Sequence, residues 1–200
     1  MLRYLTVPVT AFAQNCSLVW CDETMDAAVI DPGGDLDRLL AEVERLGLNL
    51  KAIWQTHAHI DHSGLIPALY RRGFTGPVYC TRETQQMAGE LLRDGIRHSV
   101  LPYDAADIER VVWREPGPEQ PFGNYLPVDN DLFLQFFRTG HIVGADSVVV
   151  SWGPKGPNQR SIHFSGDIGP GAEDKETLPL LRFRMAPSMT SHYAVVESTY

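Results

Sequence analysis

Residues 57–64 of this 200-residue chain read HAHIDHSG, and no other stretch constrains the fold and the chemistry as strongly. Three histidines and one aspartate fall within six consecutive positions. The residues before them, AIWQT at 52–56, are predicted to form a buried strand, and residues 63–72 are predicted to form a short helix. The cluster therefore lies where a strand gives way to a helix.

The side chains of this cluster are metal ligands by type and by spacing. His57 and His59 are two residues apart, so in an extended segment both imidazoles point the same way and suit a metal such as zinc. Asp61 and His62 follow at the start of the helix, where they can turn toward a second position. The loop therefore predicts two ligands for each of two metal ions.

Two ions need more than four ligands, and two later segments can supply them. His141 follows the predicted strand LFLQFF and is flanked by Gly140 and Gly144, which would let the backbone pass close to a metal. Asp167, in HFSGDIG, also follows a strand, and the two oxygens of a carboxylate can bridge two ions. The remaining histidines, His98, His163 and His192, are not assigned to the metal.

The rest of the pattern indicates the fold class. A helix is predicted from Leu36, with Asp35 as its N-cap, and another over 104–114. Residues 115–130 are rich in proline and glycine and are predicted to be a loop, and a last strand is predicted at 194–198. Strands that alternate with helices, followed by a run of strands, predict an α/β sandwich with mixed sheets.

Composition excludes little. The net charge of −8 argues weakly against tight, non-specific binding of polyanions, although bound divalent cations would reverse the sign locally. The three cysteines are odd in number and lack zinc-knuckle spacing, so they are interpreted as reduced thiols of a cytoplasmic protein. The start does not resemble a signal peptide, and no apolar run could span a bilayer, so no membrane partner is expected.

Three motifs in this order, HAHIDHSG, GHIVGA and FSGDIG, resemble the metallo-β-lactamase superfamily. The resemblance implies a metallo-β-lactamase αββα sandwich with mixed sheets, formed by residues 1–200 as a single domain, with two Zn²⁺ ions. It implies that one ion is held by His57, His59 and His141, and the other by Asp61, His62 and Asp167. Asp167 would bridge the ions, and Asp31, in VIDPGG, would support the loop from behind the ligands.

The resemblance divides between two branches of the superfamily. Residues 1–56 are similar to glyoxalase II-like thioesterases, whereas residues 63–200 resemble the β-CASP nucleases, which process RNA or DNA. The closing ESTY resembles the first β-CASP motif, whose acidic residue would be Glu197, behind the metal ligands. Glyoxalase-like chains usually have proline before the third histidine and Thr-Pro after it, but here the run is TGHIV at 139–143.

Both branches imply hydrolysis by water whose pKa is lowered by two metals, with Asp61 and Asp167 as the catalytic carboxylates. The first expectation is a β-CASP-type phosphodiesterase, a ribonuclease that uses a metal-bridging hydroxide on RNA or single-stranded nucleic acid. One alternative is a glyoxalase II-like thioesterase, a hydroxyacylglutathione hydrolase with a small thioester substrate. The other is a metal-binding fragment without turnover.

The last ligand of the second metal is expected to be missing. The superfamily completes that site with a histidine from the C-terminal part of the fold, but His192 is the sole histidine after Asp167, and it precedes the last strand. The second zinc site is therefore expected to be incomplete and the C-terminal part of the fold absent. An exposed edge strand at 194–198 would then favour self-association.

Overall fold

The computed structural model describes residues 1–98, 101–117, 119–120, 123–129, 131–154, 156–169 and 191–197. The chain divides into two compact units, Met1–Arg114 and Glu115–Tyr200. Each unit contains one sheet, and the two are described in turn. The expectation that residues 1–200 form a single domain stays a prediction.

The first unit combines a six-stranded sheet with five helices. Its elements are β1 (Leu2–Val9), β2 (Gln14–Cys21), β3 (Asp26–Ile30), α1 (Leu36–Leu46), β4 (Asn49–Trp54), α2 (Ile60–Ser63), α3 (Ile66–Arg71), β5 (Val78–Tyr79), α4 (Arg82–His98), α5 (Ala105–Glu109) and β6 (Trp113–Arg114). The strand order is β1-β2-β3-β4-β5-β6. The first three strands are antiparallel and the last four parallel, which confirms the predicted mixed sheet.

An apolar core holds this sheet and its helices together. Strand residues Leu18, Val29 and Ile53 are fully buried, and they belong to one cluster with Leu39 of α1 and Leu92 of α4. The burial of these side chains is the main favourable term in folding the unit. It also fixes the carboxyl end of β4, where the chain leaves the sheet and enters the histidine loop.

The second unit is an antiparallel sheet with one parallel edge pair. Its strands are β7 (Glu119–Gln120), β8 (Gly123–Asp129), β9 (Leu132–Arg138), β10 (Asp146–Trp152), β11 (Arg160–Phe164) and β12 (Tyr193–Val195), in the order β12-β11-β10-β9-β8-β7. Among the described strands of this unit, β11 and β12 form the one parallel pair. The residues around the middle of β9 and β10, including Leu134, Phe136, Val148 and Val150, are fully buried.

The predicted loop at 115–130 is wrong over part of its length. Residues 123–129 form β8, which pairs with β9 and also with the short strand at 119–120. Pro127 is tolerated because the register shifts between Pro127 and Asp129, and a proline fits a strand at such an irregularity. Residues 118, 121, 122 and 130 lie outside the described residues.

The predicted helix at 104–114 is too long. Asp104 caps it through a capping box with Asp107, but the helix ends at Glu109. Trp113 and Arg114 instead pair with β5, and the Val112 carbonyl accepts from the Val78 amide. β-branched and aromatic residues favour a strand, and a neighbouring strand was available to pair with them.

Two further helix predictions need correction. The helix predicted over 63–72 is two helices, because Pro67 cannot donate an intrahelical hydrogen bond and instead lies in the first turn of α3. The helix from Leu36 is confirmed, but Asp35 does not cap it with its side chain. The Asp35 carboxylate accepts from the Thr10 amide instead, and so ties the β1–β2 turn to the start of α1.

The hairpin turn at 153–159 joins β10 to β11 as predicted by the glycine- and proline-rich sequence, with Lys155 outside the described part. The last strand is shorter than expected and covers Tyr193–Val195, and residue 198 is not described. Across the described part of the chain, none of the helices has both the length and the apolar surface that crossing a membrane requires.

Candidate metal centre

The histidine loop leaves the carboxyl end of β4 and is held by its own polar side chains. The side-chain amide of Gln55 donates to the backbone carbonyl of His57 at 2.7 Å. The Ser63 hydroxyl lies within hydrogen-bonding distance of the Ala58 and His59 carbonyls, at 3.0 and 3.1 Å. Because Gln55 and Ser63 are fully buried, these contacts fix the backbone that presents the imidazoles.

A second segment, the turn Asp31–Gly34, packs directly against this loop. The Pro32 carbonyl accepts from the Leu65 amide at 3.0 Å. At Gly33, a Cβ atom would overlap the backbone carbonyl of Asp61. Only glycine allows the two backbones to approach so closely, which explains the glycine at position 33 of VIDPGG.

Asp31 is the centre of a buried hydrogen-bond network behind the histidines. Its side chain is almost fully buried, and its two oxygens accept from the Thr56 amide at 2.7 Å and the Thr56 hydroxyl at 2.6 Å. The oxygen that takes the hydroxyl also lies 3.0 Å from Nδ1 of His62. An ionised carboxylate only accepts, so Nδ1 of His62 carries a proton, and in the neutral imidazole Nε2 then carries the lone pair.

The same carboxylate sets the tautomer of His57 through Thr56. The Thr56 hydroxyl has one proton and donates it to Asp31, so it accepts from Nδ1 of His57 at 3.0 Å. The lone pair of His57 is therefore on Nε2. One buried aspartate thus orients two imidazoles. This is the usual arrangement behind metal-binding histidines.

The donor atoms have the spacing of metal ligands. Nε2 of His57 lies 3.2 Å from Nδ1 of His59. Two nitrogens bound tetrahedrally to one zinc ion would be roughly 3.3 Å apart. Nε2 of His62 lies 3.8 Å from a carboxylate oxygen of Asp61. The first unit therefore contains two adjacent donor pairs that fit divalent metal ions.

The second unit contains one further donor pair. Nε2 of His141 lies 3.1 Å from a carboxylate oxygen of Asp167, and their side chains are 25% and 10% exposed. Gly140 has a φ of +70°, and a Cβ atom at Gly169 would overlap the Gly140 carbonyl. The Gly169 amide also donates to the Thr139 carbonyl at 3.2 Å. Backbone contacts between two loops therefore bring His141 and Asp167 together.

The other predicted residues lie at different places in the second unit. The Glu197 amide donates to the Ser165 hydroxyl at 2.9 Å, so Glu197 is tied to the segment that leads to Asp167. His192 accepts from the Ser161 amide at the beginning of β11, whereas Asp167 follows the end of that strand. His163, which was not assigned to the metal, is the fourth residue of β11, and burial lowers its pKa.

Three supporting residues were not predicted from the sequence: Thr56, Gln55 and Gln14. Each is at most 1% exposed, and the Gln14 amide lies 3.4 Å from Nδ1 of His62. The signal for Thr56 and Gln55 was their position, since two polar residues directly follow the apolar end of β4. Gln14 begins β2, 48 residues before His62, and nothing local connects them.

Comparison with known proteins identifies the family. The profile of the metallo-β-lactamase superfamily matches residues 9–179. Hydroxyacylglutathione hydrolase GloC of Haemophilus influenzae is 34% identical over 163 residues, which cover 81% of this chain and 69% of the relative. This relative represents the glyoxalase II-like branch suspected from the sequence. The β-CASP branch is represented by two further relatives, a ribonuclease and a transcription termination factor.

Ribonuclease TTHA0252 of Thermus thermophilus is 34% identical over 131 residues, covering 64% of this chain and 28% of the relative. Transcription termination factor FttA of Methanocaldococcus jannaschii is 30% identical over 157 residues, covering 76% and 23%. The chain thus spans about a quarter of the length of these two relatives.

Solved structures share the fold. TTHA1623 in a di-iron-bound form matches with a TM-score of 0.52 and 22% identity, over 92% of this chain and 80% of that chain. The B3 metallo-β-lactamase BLEG-1 matches with a TM-score of 0.51 and 24% identity, over 82% and 71%. The predicted fold class, a metallo-β-lactamase fold with mixed sheets, is confirmed. The chain therefore belongs to the metallo-β-lactamase superfamily, a superfamily of metallo-hydrolases.

Proposed function

We propose that this chain is a zinc-dependent hydrolase whose ligands come from three segments. His57, His59 and His141 would hold one Zn²⁺, and Asp61, His62 and Asp167 the other. The observation that carries the proposal is the Asp31 network, because it leaves the Nε2 lone pairs of His57 and His62 as the metal-facing donors. A histidine that only stabilised a core would not need a shared, buried carboxylate to fix its tautomer.

The donor set fits zinc. Imidazole nitrogens and carboxylate oxygens are its common ligands, and the donor atoms of His57 and His59 are 3.2 Å apart. Asp167, which we propose bridges the two ions, lies 3.1 Å from Nε2 of His141.

Bound metal ions would supply Lewis acidity and allow water to attack as hydroxide near neutral pH. The chain's own contribution is to orient the donors and to accept a proton. Asp61 and Asp167 are suited to that role because both carboxylates lie beside a histidine donor and remain partly open to solvent, at 20% and 10% exposure.

As the substrate we propose the phosphodiester of RNA. Support comes from the second unit, where β12 brings Glu197 to Ser165, two residues before Asp167. Glu197 belongs to the ESTY segment that resembles the β-CASP nucleases, and one relative is a ribonuclease. Arg71 and Arg72 do not add to this support, because they pair with Asp104, Asp107 and Asp37.

The second candidate substrate is a small thioester. The observation that favours it is the alignment with hydroxyacylglutathione hydrolase GloC, which spans 69% of that enzyme and 81% of this chain. A net charge of −8 is also easier to reconcile with a small substrate than with a polyanion. Both substrates would use the same water activation, so the metal site does not discriminate between them.

One experiment separates the candidates. The zinc-loaded protein is given end-labelled single-stranded RNA and, separately, S-lactoylglutathione, and metal content is measured on the same samples. We expect RNA cleavage. Cleavage of the thioester alone would favour the second candidate, and bound zinc without turnover of either would leave a metal-binding protein.

The His59→Ala variant provides the negative control for this assay. It should lose at least one zinc and nearly all hydrolysis, because the remaining ligands cannot close the coordination of that ion. His98→Ala is the matched variant, since His98 is exposed and its Nε2 lies 3.5 Å from a carboxylate oxygen of Asp94, away from the proposed ligands. Full zinc content and full activity in His59→Ala would refute the proposed site.

A further inference from the structure

A buried ion pair lies at the base of the loop that carries His141. Arg138 is the last residue of β9 and Asp146 the first of β10, and the two are opposite each other in the sheet. Nη1 of Arg138 lies 3.4 Å from Oδ1 of Asp146, with the side chains 15% and 2% exposed. The pair therefore joins the two ends of the seven-residue loop 139–145.

Backbone hydrogen bonds also join the two ends of this loop. The Thr139 amide donates to the Ala145 carbonyl at 3.0 Å, and the Ala145 amide donates to the Ile142 carbonyl. Gly140 and Gly144 both have positive φ, at +70° and +83°. Glycines leave a loop conformationally free, so the position of His141 depends on how its two ends are held.

The burial of this pair needs an explanation other than stability. Apolar residues of similar volume usually stabilise a core as well as a buried ion pair does, or better. Charges, however, hold their partners in place, because either one left alone in a buried site would be drawn toward water. A buried pair at a loop base is therefore well suited to fix geometry.

We infer that Arg138 and Asp146 are positioning residues for metal binding by His141, an inference that rests on the function proposed above. Removing one charge would release the strand ends and let the loop open. His141 would then lie farther from Asp167, and the zinc ion that His141 helps to hold would bind more weakly. Neither residue needs to touch the metal for this to occur.

The test uses the full chain and zinc alone. Metal-free Asp146→Asn, which keeps the shape but loses the charge, is titrated with zinc by calorimetry, and the His141 imidazole signals are recorded by ¹H–¹⁵N NMR before zinc is added. We expect the zinc site that includes His141 to weaken by about 10- to 100-fold, the range for residues that support metal ligands. The His141 signals should also shift in the metal-free protein.

Control variants separate positioning from a purely structural role. Ser147→Ala removes the adjacent cross-strand contact to the Phe137 carbonyl and should leave zinc affinity unchanged. Arg138→Lys keeps the charge and should retain most of the affinity, whereas Arg138→Met should lose it. The double variant Arg138→Met with Asp146→Leu should restore thermal stability but not zinc affinity. This variant keeps the inference testable even if a single variant does not fold.

Two results would overturn the inference. The first is that Asp146→Asn binds zinc as tightly as the parent protein does and shows unshifted His141 signals. That result would leave the proposed function intact. The other is a double variant that recovers both stability and zinc affinity, because the pair would then be structural only. A parent that binds no zinc would remove the proposed function and this inference together.

Discussion

The histidine loop and the His141 loop present the same kind of candidate ligand but are held in different ways. In the first unit, a nearly fully buried carboxylate, Asp31, accepts from Thr56 and His62 and fixes two tautomers. In the second unit, His141 is 25% exposed, and its loop is positioned by backbone packing against Gly169. Side-chain hydrogen bonds therefore order the histidine loop, and backbone contacts order the His141 loop.

This difference has a consequence for how each half responds to substitution. The histidine loop should be rigid before metal binds, because its donors are part of a buried network. The His141 loop should depend more on the conformation of its glycines and on the residues at its base. Substitutions that break one mechanism should leave the other half largely unchanged, and the following predictions use that contrast.

Gly33→Ala should have the largest effect. Its Cβ atom would overlap the Asp61 carbonyl, and backbone cannot move as a flexible side chain can. We expect a loss of about 4 kcal/mol or more in the free energy of unfolding, measured by urea denaturation. Gly89→Ala is the matched control: it lies in α4 with space around it, and should stabilise the protein by about 0.5–1 kcal/mol.

Asp31→Asn should come next and should act mainly on the histidine loop. Asparagine tolerates the left-handed backbone at this position, where φ is +52°. Its side chain, however, has one accepting oxygen where the carboxylate has two. We expect a loss of about 3 kcal/mol in stability, since hydrogen bonds to a buried charge are removed. Zinc affinity should fall by about 10- to 100-fold.

Asp35→Asn controls for the removal of a charge from the same turn, because Asp35 is exposed and accepts one hydrogen bond, from the Thr10 amide. It should change stability by less than about 1 kcal/mol and leave zinc binding unchanged. Equal losses of zinc affinity in the two variants would contradict a special role for Asp31.

Gly169→Ala should affect the His141 loop and leave the histidine loop unchanged. The added methyl would overlap the Gly140 carbonyl and push His141 away from Asp167. We expect a stability loss of about 2 kcal/mol and weaker zinc binding, with the NMR signals of His57 and His62 unchanged in the metal-free protein. Shifts of those signals equal to the shift of His141 would argue against independent ordering of the two halves.

The smallest effect should come from pH acting on His163. Burial lowers its pKa from 6.5, so the folded state favours the neutral imidazole while the unfolded state binds a proton near pH 6.5. Stability should therefore fall as the pH drops below that value. His163→Gln should reduce this slope in urea denaturation, and His98→Gln, at an exposed site, should not.

The candidate ligands stay a prediction, and the sequence signals that select them are local. His57, His59, Asp61 and His62 lie within six residues, and His141 and Asp167 each follow an apolar strand beside glycines. Asp31 was the one member of the network behind them that the sequence indicated; Gln14 could not be predicted, since it approaches His62 only through the packing of β2. Likewise, β8 was missed because its pairing with β9 outweighs a proline-rich composition that favours a loop.

The tautomers of His57 and His62 in the metal-free protein test the central claim most directly. Long-range ¹H–¹⁵N NMR of the imidazoles distinguishes the nitrogen that carries the proton from the one that carries the lone pair. The Asp31 network predicts a protonated Nδ1 in both residues, with the Nε2 signals moving when zinc is added. A protonated Nε2 in either residue, or Nε2 signals that do not respond to zinc, would contradict it.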